Sequence, residues 1–221
     1  MSPGNRKGVL FDLDGTLVDT LEDIAAALNA VLAGNGFPRH SLEACRAMVG
    51  WGMRNLVTAA LPEGRREPGL VSALTEAMMA EYGRHPLVHS RPYPGIPELL
   101  AELRRLGLPT AVLSNKPDVL TQRIAEGLFP GHAFRAVQGE RPGVPRKPDP
   151  QAARAICAGM GLEPGEILFL GDTAVDVETA HRAGMPCAGA LWGFRGREEL
   201  VRAGAEVLVD HPSAVLDLLR P

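Results

Sequence analysis

A chain of 221 residues that is 45% hydrophobic and 22% charged has the composition of an ordinary globular protein, which excludes a disordered, collagen-like or disulfide-stapled chain and leaves enough length for a large core. Its 23 Lys and Arg against 26 Asp and Glu give a formal net charge of -3, so it lacks the positive field that holds a nucleic-acid backbone. No run approaches the roughly 20 apolar residues needed to span a bilayer.

The expectation is a soluble, cytoplasmic protein, monomer or homodimer, with no nucleic-acid or membrane partner. The opening MSPGNRKGVLFDLDG has no long apolar stretch of the secretory kind. Cys45, Cys157 and Cys187 are odd in number and widely spaced, which suits buried thiols in a reducing compartment. Of the 23 basic residues only Lys7, Lys116 and Lys147 are lysines.

At roughly 150 residues per domain the length suggests one core plus an insertion. In chain order, Gly8 to Leu13 is a continuous apolar run of the buried-strand type. From Val18 to Val88 the pattern is helical throughout. Leu21, Ile24, Ala25, Leu28, Val31 and Leu32 recur at helical spacing behind Thr20 as N-cap, and Gly34-Asn35-Gly36 closes that helix. Helices follow around Leu42 to Met48, Met53 to Leu61 and Gly69 to Tyr82. Pro94-Gly95 then introduces a helix over Ile96 to Leu106. Strands are expected at Leu108 to Leu113, Phe134 to Gln138, Ile167 to Leu170, Cys187 to Trp192 and Glu206 to Val209. Asp149 reads as an N-cap with Pro150 at the first helical position, and Gly184 stops a helix begun near Thr173. Alternation of strand and helix predicts a doubly wound, parallel α/β sheet with an all-helical insert after its first strand.

Ligands of such sheets bind beyond the carboxyl ends of the strands, and four strand ends carry polar groups. The first ends in Asp12-Leu13-Asp14-Gly15-Thr16; residues two apart in an extended segment face the same side, so both carboxylates lean over one point, where a cation or a proton relieves their repulsion. The second ends in Ser114-Asn115-Lys116-Pro117, either an anion-binding helix start or an N-cap ahead of proline. The fourth ends in Gly171-Asp172-Thr173-Ala174-Val175-Asp176, whose carboxylates suit a hard ion such as Mg²⁺ or simply cap a helix. Lys147, in a proline-stiffened loop, is by itself a solvated lysine; together with the other three clusters it completes a site for a metal and a phosphate.

DLDGTLVDT, SNKP, KPDP and GDTAVD, in this order, resemble the four motifs of the haloacid dehalogenase superfamily, in its phosphatase branch with a helical cap after the first motif. YPGIPELLAELRRLGLPTAVLSNKP, RKPDPQAA and WGFRGREELVRAGAEVLVDHPSAVLDLL most resemble the phosphoglycolate phosphatase family. The resemblance implies a catalytic core of residues 1–17 and 89–221 and a cap of residues 18–88. It implies that Asp12 is the nucleophile, forming an aspartyl-phosphate, and that Asp14 is the general acid and then base. Mg²⁺ would be held by Asp12, the Asp14 carbonyl and Asp172, with Asp176 behind them or acting through water. Ser114 and Asn115 would meet the phosphoryl oxygens and Lys147 would neutralise charge. Dehalogenases lack the second carboxylate, so Asp14 argues for phosphate chemistry.

The favoured substrate is 2-phosphoglycolate, and Arg54 in GWGMRNL is the cap cation expected for its carboxylate, unless it is a solvated helix arginine. A β-phosphoglucomutase-like phosphomutase, a phosphatase of another small phosphorylated metabolite and a receiver-like phospho-acceptor are the alternatives. The insert counts against a receiver.

Overall fold

The computed structural model describes residues 6–219; the first and last few residues of the expected core ranges lie outside them. Six parallel strands form the sheet: β1 Gly8–Phe11, β4 Thr110–Pro117, β5 Val137–Glu140, β6 Ile167–Gly171, β7 Cys187–Ala190 and β8 Val207–Val209. Their spatial order is β5-β4-β1-β6-β7-β8. The chain therefore builds outward from β1 in one direction, returns, and builds in the other. That topological switch leaves β1 between β4 and β6, with the crevice where such folds bind ligands at its carboxyl end. Both faces of the sheet are covered, so β1 and β6 are fully buried apolar runs interrupted only at their ends.

The insert contains α1 Leu21–Gly34, α2 Leu42–Met48, α3 Met53–Ala60 and α4 Pro68–Arg84. Leu21, Leu28, Leu32, Met78 and Tyr82 are almost wholly buried there, and each such side chain contributes about 1.5–3 kcal/mol relative to exposure. At the insert's base lies an element the periodicity did not predict: β2 Val18–Asp19 pairs antiparallel with β3 Arg91–Pro92. Two residues are too few to show a period of two. The buried Asp23 carboxylate fastens the returning chain to α1 by accepting hydrogen bonds from the His89 and Ser90 amides and the Ser90 hydroxyl, at 2.7–3.0 Å.

Thr20 occupies the N-cap position of α1 but makes no side-chain cap bond; Asp19 accepts from Leu21 N instead, because the Thr20 hydroxyl is committed to Asp14. Pro150, rather than Asp149, is the residue flanking α7 Gln151–Met160, although the Asp149 carboxylate still accepts from Gln151 N at 2.9 Å. The third strand starts three residues later than expected, since Phe134 packs edge-on against Phe129 rather than entering the ladder. All three cysteines are free and buried. No described helix is long and apolar enough to cross a membrane.

Candidate active site

Asp12 follows β1 directly, and its amide donates to Leu170 O of the neighbouring strand at 2.9 Å, so the ladder continues just far enough to fix it over the switch point. The chain then turns within four residues, with the Thr16, Leu17 and Val18 amides all donating to Leu13 O. Gly15 sits at φ +85, and a Cβ there would lie 2.3 Å from an Asp172 carboxylate oxygen. Only glycine satisfies both the turn and that approach.

Asp12, Asp172 and Asp176 are buried and offer ligand atoms within 4.8 Å of one another. At an effective dielectric near 20, each such pair of anions costs about 3 kcal/mol or more. Lys147 offsets part of this, its Nζ donating to Asp12 Oδ1 at 2.8 Å and Asp176 Oδ1 at 2.6 Å. Thr16 donates to Asp172 Oδ1 and Phe194 N to Asp172 Oδ2, while Asp176 Oδ2 accepts from the Thr173 amide and hydroxyl in a capping box. The relief is incomplete. Burial and then repulsion from Asp176 push the Asp12 carboxyl up to about 7 despite the pull of Lys147, and burial, Asp176 and Asp12 raise Asp172 well above the carboxylate range. Lys147 stays protonated: burial opposes its charge, but Asp12 and Asp176 outweigh it. With Asp14 included, four carboxylates face two ammoniums, a deficit that a divalent cation on oxygen ligands would close.

The pocket above this cluster encloses about 50 Å³, room for about three to five waters. Its floor is Asp12, Asp14, Ser114, Asn115, Lys116 and Lys147; its other wall is made by Ile24, Met53, Leu56, Met78 and Tyr82 of the insert. The Ser114 hydroxyl accepts from Lys116 N at 3.2 Å, keeping its proton for another acceptor. Asn115 uses its amide protons on Gly50 O and Lys147 O, both at 3.1 Å, which ties the insert's Gly50 loop to the lysine-bearing loop. Its buried Oδ1 has no hydrogen-bond partner.

Seven of the eight expected residues are thus brought together: Asp12, Asp14, Ser114, Asn115, Lys147, Asp172 and Asp176. Arg54 is not. It is exposed and does not line the pocket, because α3 turns Met53 and Leu56 inward and one residue's step of about 100° carries Arg54 away. Trp51 is likewise 45% exposed, although Gly50 and Gly52 line the pocket.

Sequence reasoning overlooked Lys116 and Arg195. Lys116 Nζ donates to both Asp14 oxygens, at 2.8 and 2.9 Å, and lies 4.7 Å from the Tyr82 ring centroid; its only signal was the scarcity of lysine. Arg195 reaches from the loop after β7 to the end of α2, donating to Arg46 O, Ala47 O and Val49 O at 2.5–3.0 Å.

A family model described as haloacid dehalogenase-like hydrolase matches residues 6–184. The N-acetylmuramic acid 6-phosphate phosphatase of Pseudomonas aeruginosa is 36% identical, the match covering 96% of this chain and 94% of that one. Phosphoglycolate phosphatase 1 of the same organism is 34% identical, with 96% and 76% covered. A crystal structure from Lactobacillus delbrueckii subsp. bulgaricus, of a protein provisionally described as a phosphoglycolate phosphatase, superposes with a TM-score of 0.91 at 28% identity over 98% of this chain and 99% of that one. The chain belongs to the haloacid dehalogenase-like hydrolase family. Within that family it is a phosphatase, a hydrolase of phosphoric monoesters.

Proposed function

We propose that this phosphatase is Mg²⁺-dependent and removes phosphate from a small monoester, 2-phosphoglycolate being the favoured substrate, through an aspartyl-phosphate. The observation that carries the reading is the convergence of Asp12, Asp172, Asp176 and Lys147 at the switch point. An Asp12 carboxylate oxygen attacks phosphorus while the bond from phosphorus to the ester oxygen breaks, and Asp14, which has to take up a proton from solvent before this step, gives it to the departing alkoxide. Water then attacks the aspartyl-phosphate, Asp14 takes a proton from it, and phosphate leaves with the Asp12 carboxylate restored.

Ser114 donates to a phosphoryl oxygen and Lys147 neutralises both nucleophile and phosphate, as phosphoryl transfer chiefly requires. Asn115, whose amide protons are spent on carbonyls, positions the loops rather than donating to phosphate. Asp12, Asp172 and the Asp14 carbonyl would hold Mg²⁺, with Asp176 behind, and the ion would supply the positive charge that the four carboxylates lack. Residues 18–88 serve as the lid that shields the site from water.

The narrow pocket supports a substrate little larger than its phosphate. N-acetylmuramic acid 6-phosphate is the second reading, favoured by the relative matched along nearly its whole length; it requires the lid to stand further open. A panel of phosphate esters assayed with Mg²⁺ and with EDTA tests both readings. Phosphate release that EDTA abolishes and Mg²⁺ restores is expected, and full turnover in chelator would overturn the metal assignment.

A further inference from the structure

Resting on the phosphatase reading, we infer that Lys116 and Tyr82 form a subsite for a carboxylate on the carbon next to the ester oxygen, and so select 2-phosphooxy acids among phosphate monoesters. Three observations meet here. Lys116 is one of two buried ammoniums on the pocket floor, and Lys147 is already held between Asp12 and Asp176. Burying a cation costs several kcal/mol unless an anion compensates it; Asp14 is the partner here, itself steadied by the Thr20 hydroxyl at 2.6 Å. Tyr82 belongs to the opposite wall, is 1% exposed, and its hydroxyl makes no hydrogen bond of ordinary geometry, the Lys116 ammonium standing beside it as a polar neighbour. A buried polar group left without a good partner is costly, and a ligand that pairs with it recovers that cost. Burial holds that phenol up to about 12, so it remains a neutral donor. The pocket is thus lined by Lys116 from one wall and Tyr82 from the other, the ammonium lying 4.7 Å from the Tyr82 ring centroid.

Reach decides which anion fits. Asp14 has to touch the ester oxygen, and Lys116 lies within 2.9 Å of both Asp14 oxygens. A carboxylate two bonds from that oxygen, as in 2-phosphoglycolate, falls within the same reach. It can share the ammonium with Asp14 and take the Tyr82 proton on its second oxygen. In N-acetylmuramic acid 6-phosphate the lactyl carboxylate hangs from the far side of the sugar and cannot do this while the phosphate is seated. Arg54, exposed and off the pocket, leaves Lys116 as the cation nearest this position among the described residues that line it.

The experiment measures kcat/KM for 2-phosphoglycolate, ethyl phosphate and N-acetylmuramic acid 6-phosphate in the wild type, Lys116→Met and Tyr82→Phe, with Tm as a check on folding. Wild type should prefer 2-phosphoglycolate over ethyl phosphate by about 100-fold or more, up to the about 10⁴-fold by which a site built to bond a polar group rejects analogues lacking it. Lys116→Met should collapse that ratio to within about fivefold. Tyr82→Phe, which removes the hydroxyl and keeps the ring, should lower the ratio about 3–10-fold without lowering Tm.

Equal losses on both esters in Lys116→Met overturn the subsite, as does an unchanged ratio in Tyr82→Phe, the variant that decides if Lys116→Met does not fold. A wild type that hydrolyses ethyl phosphate or N-acetylmuramic acid 6-phosphate as well as 2-phosphoglycolate overturns the subsite while leaving the phosphatase reading intact. A wild type that releases phosphate from no ester overturns that reading itself.

Discussion

The floor and the lid of the pocket are built on opposite principles. The floor carries Asp12 and Lys147, with Asp172 and Asp176 fully buried beneath them, a costly arrangement that nothing in the packing requires. The lid wall presents Ile24, Met53, Leu56 and Met78, the same residues that hold the helical insert together. On the proposed function, chemistry rests on those few charges, and fit on apolar shape plus Lys116 and Tyr82 where the walls meet. Substitutions should follow the same division, with catalysis lost on the floor and affinity or selectivity altered at the lid.

The largest effect among the substitutions that probe this contrast belongs to Lys147→Met. Removing the ammonium between two carboxylates should lower kcat/KM by about 10³-fold or more and cost about 3–5 kcal/mol of stability in chelator, with Mg²⁺ restoring part of the second loss. Steady-state kinetics and urea unfolding check both. A variant with near-normal turnover would break the distinction.

Arg195→Ala comes next. It deletes three hydrogen bonds that fasten the end of α2 to the core, each worth about 0.5–1.5 kcal/mol. The lid should close less often, and kcat/KM should fall about 10-fold, mostly through KM, in initial-rate measurements across substrate concentration. A fall confined to kcat would assign Arg195 to the chemistry instead. Smallest is Arg54→Ala, which should change kcat/KM less than about twofold, as surface changes away from structural features do. A tenfold loss would return Arg54 to the site.

What could be read from the sequence follows from the same division. Asp12 stands out in VLFDLDG because a carboxylate within an apolar run has no packing explanation; Asp14 does reach the same pocket, but through the turn that follows β1 rather than the strand alternation the sequence suggests, since β1 ends at Phe11. The short loops and glycine stops mark the order of the strands and the helices of the insert, Leu42–Met48 to the residue, but they place the second strand at Leu108 to Leu113 where it runs Thr110–Pro117. Lys116 was hidden because its partner Asp14 lies 102 positions earlier, and a lysine after Ser-Asn reads as the solvated start of a helix.

Thr20 shows a subtler failure. Its place beside α1 was foreseen, but a tertiary bond to Asp14 won its hydroxyl over the local cap. Arg54 takes the second of its two readings, an exposed helix arginine, because periodicity specifies the two faces of α3 without saying which one docks. In the lid, the apolar residues that pack the bundle and those that line the pocket obey one spacing rule, and only the docked structure separates them.

The central claim is that Asp12 carries the phosphoryl group. Acid quenching of the Mg²⁺-loaded enzyme during turnover of 2-phosphoglycolate, followed by peptide mass analysis, tests it most directly. One phosphoryl group on the peptide containing Asp12, absent in Asp12→Asn together with turnover, is the predicted result. Undiminished phosphate release by Asp12→Asn, or a phosphoryl group found on another residue, would contradict the account.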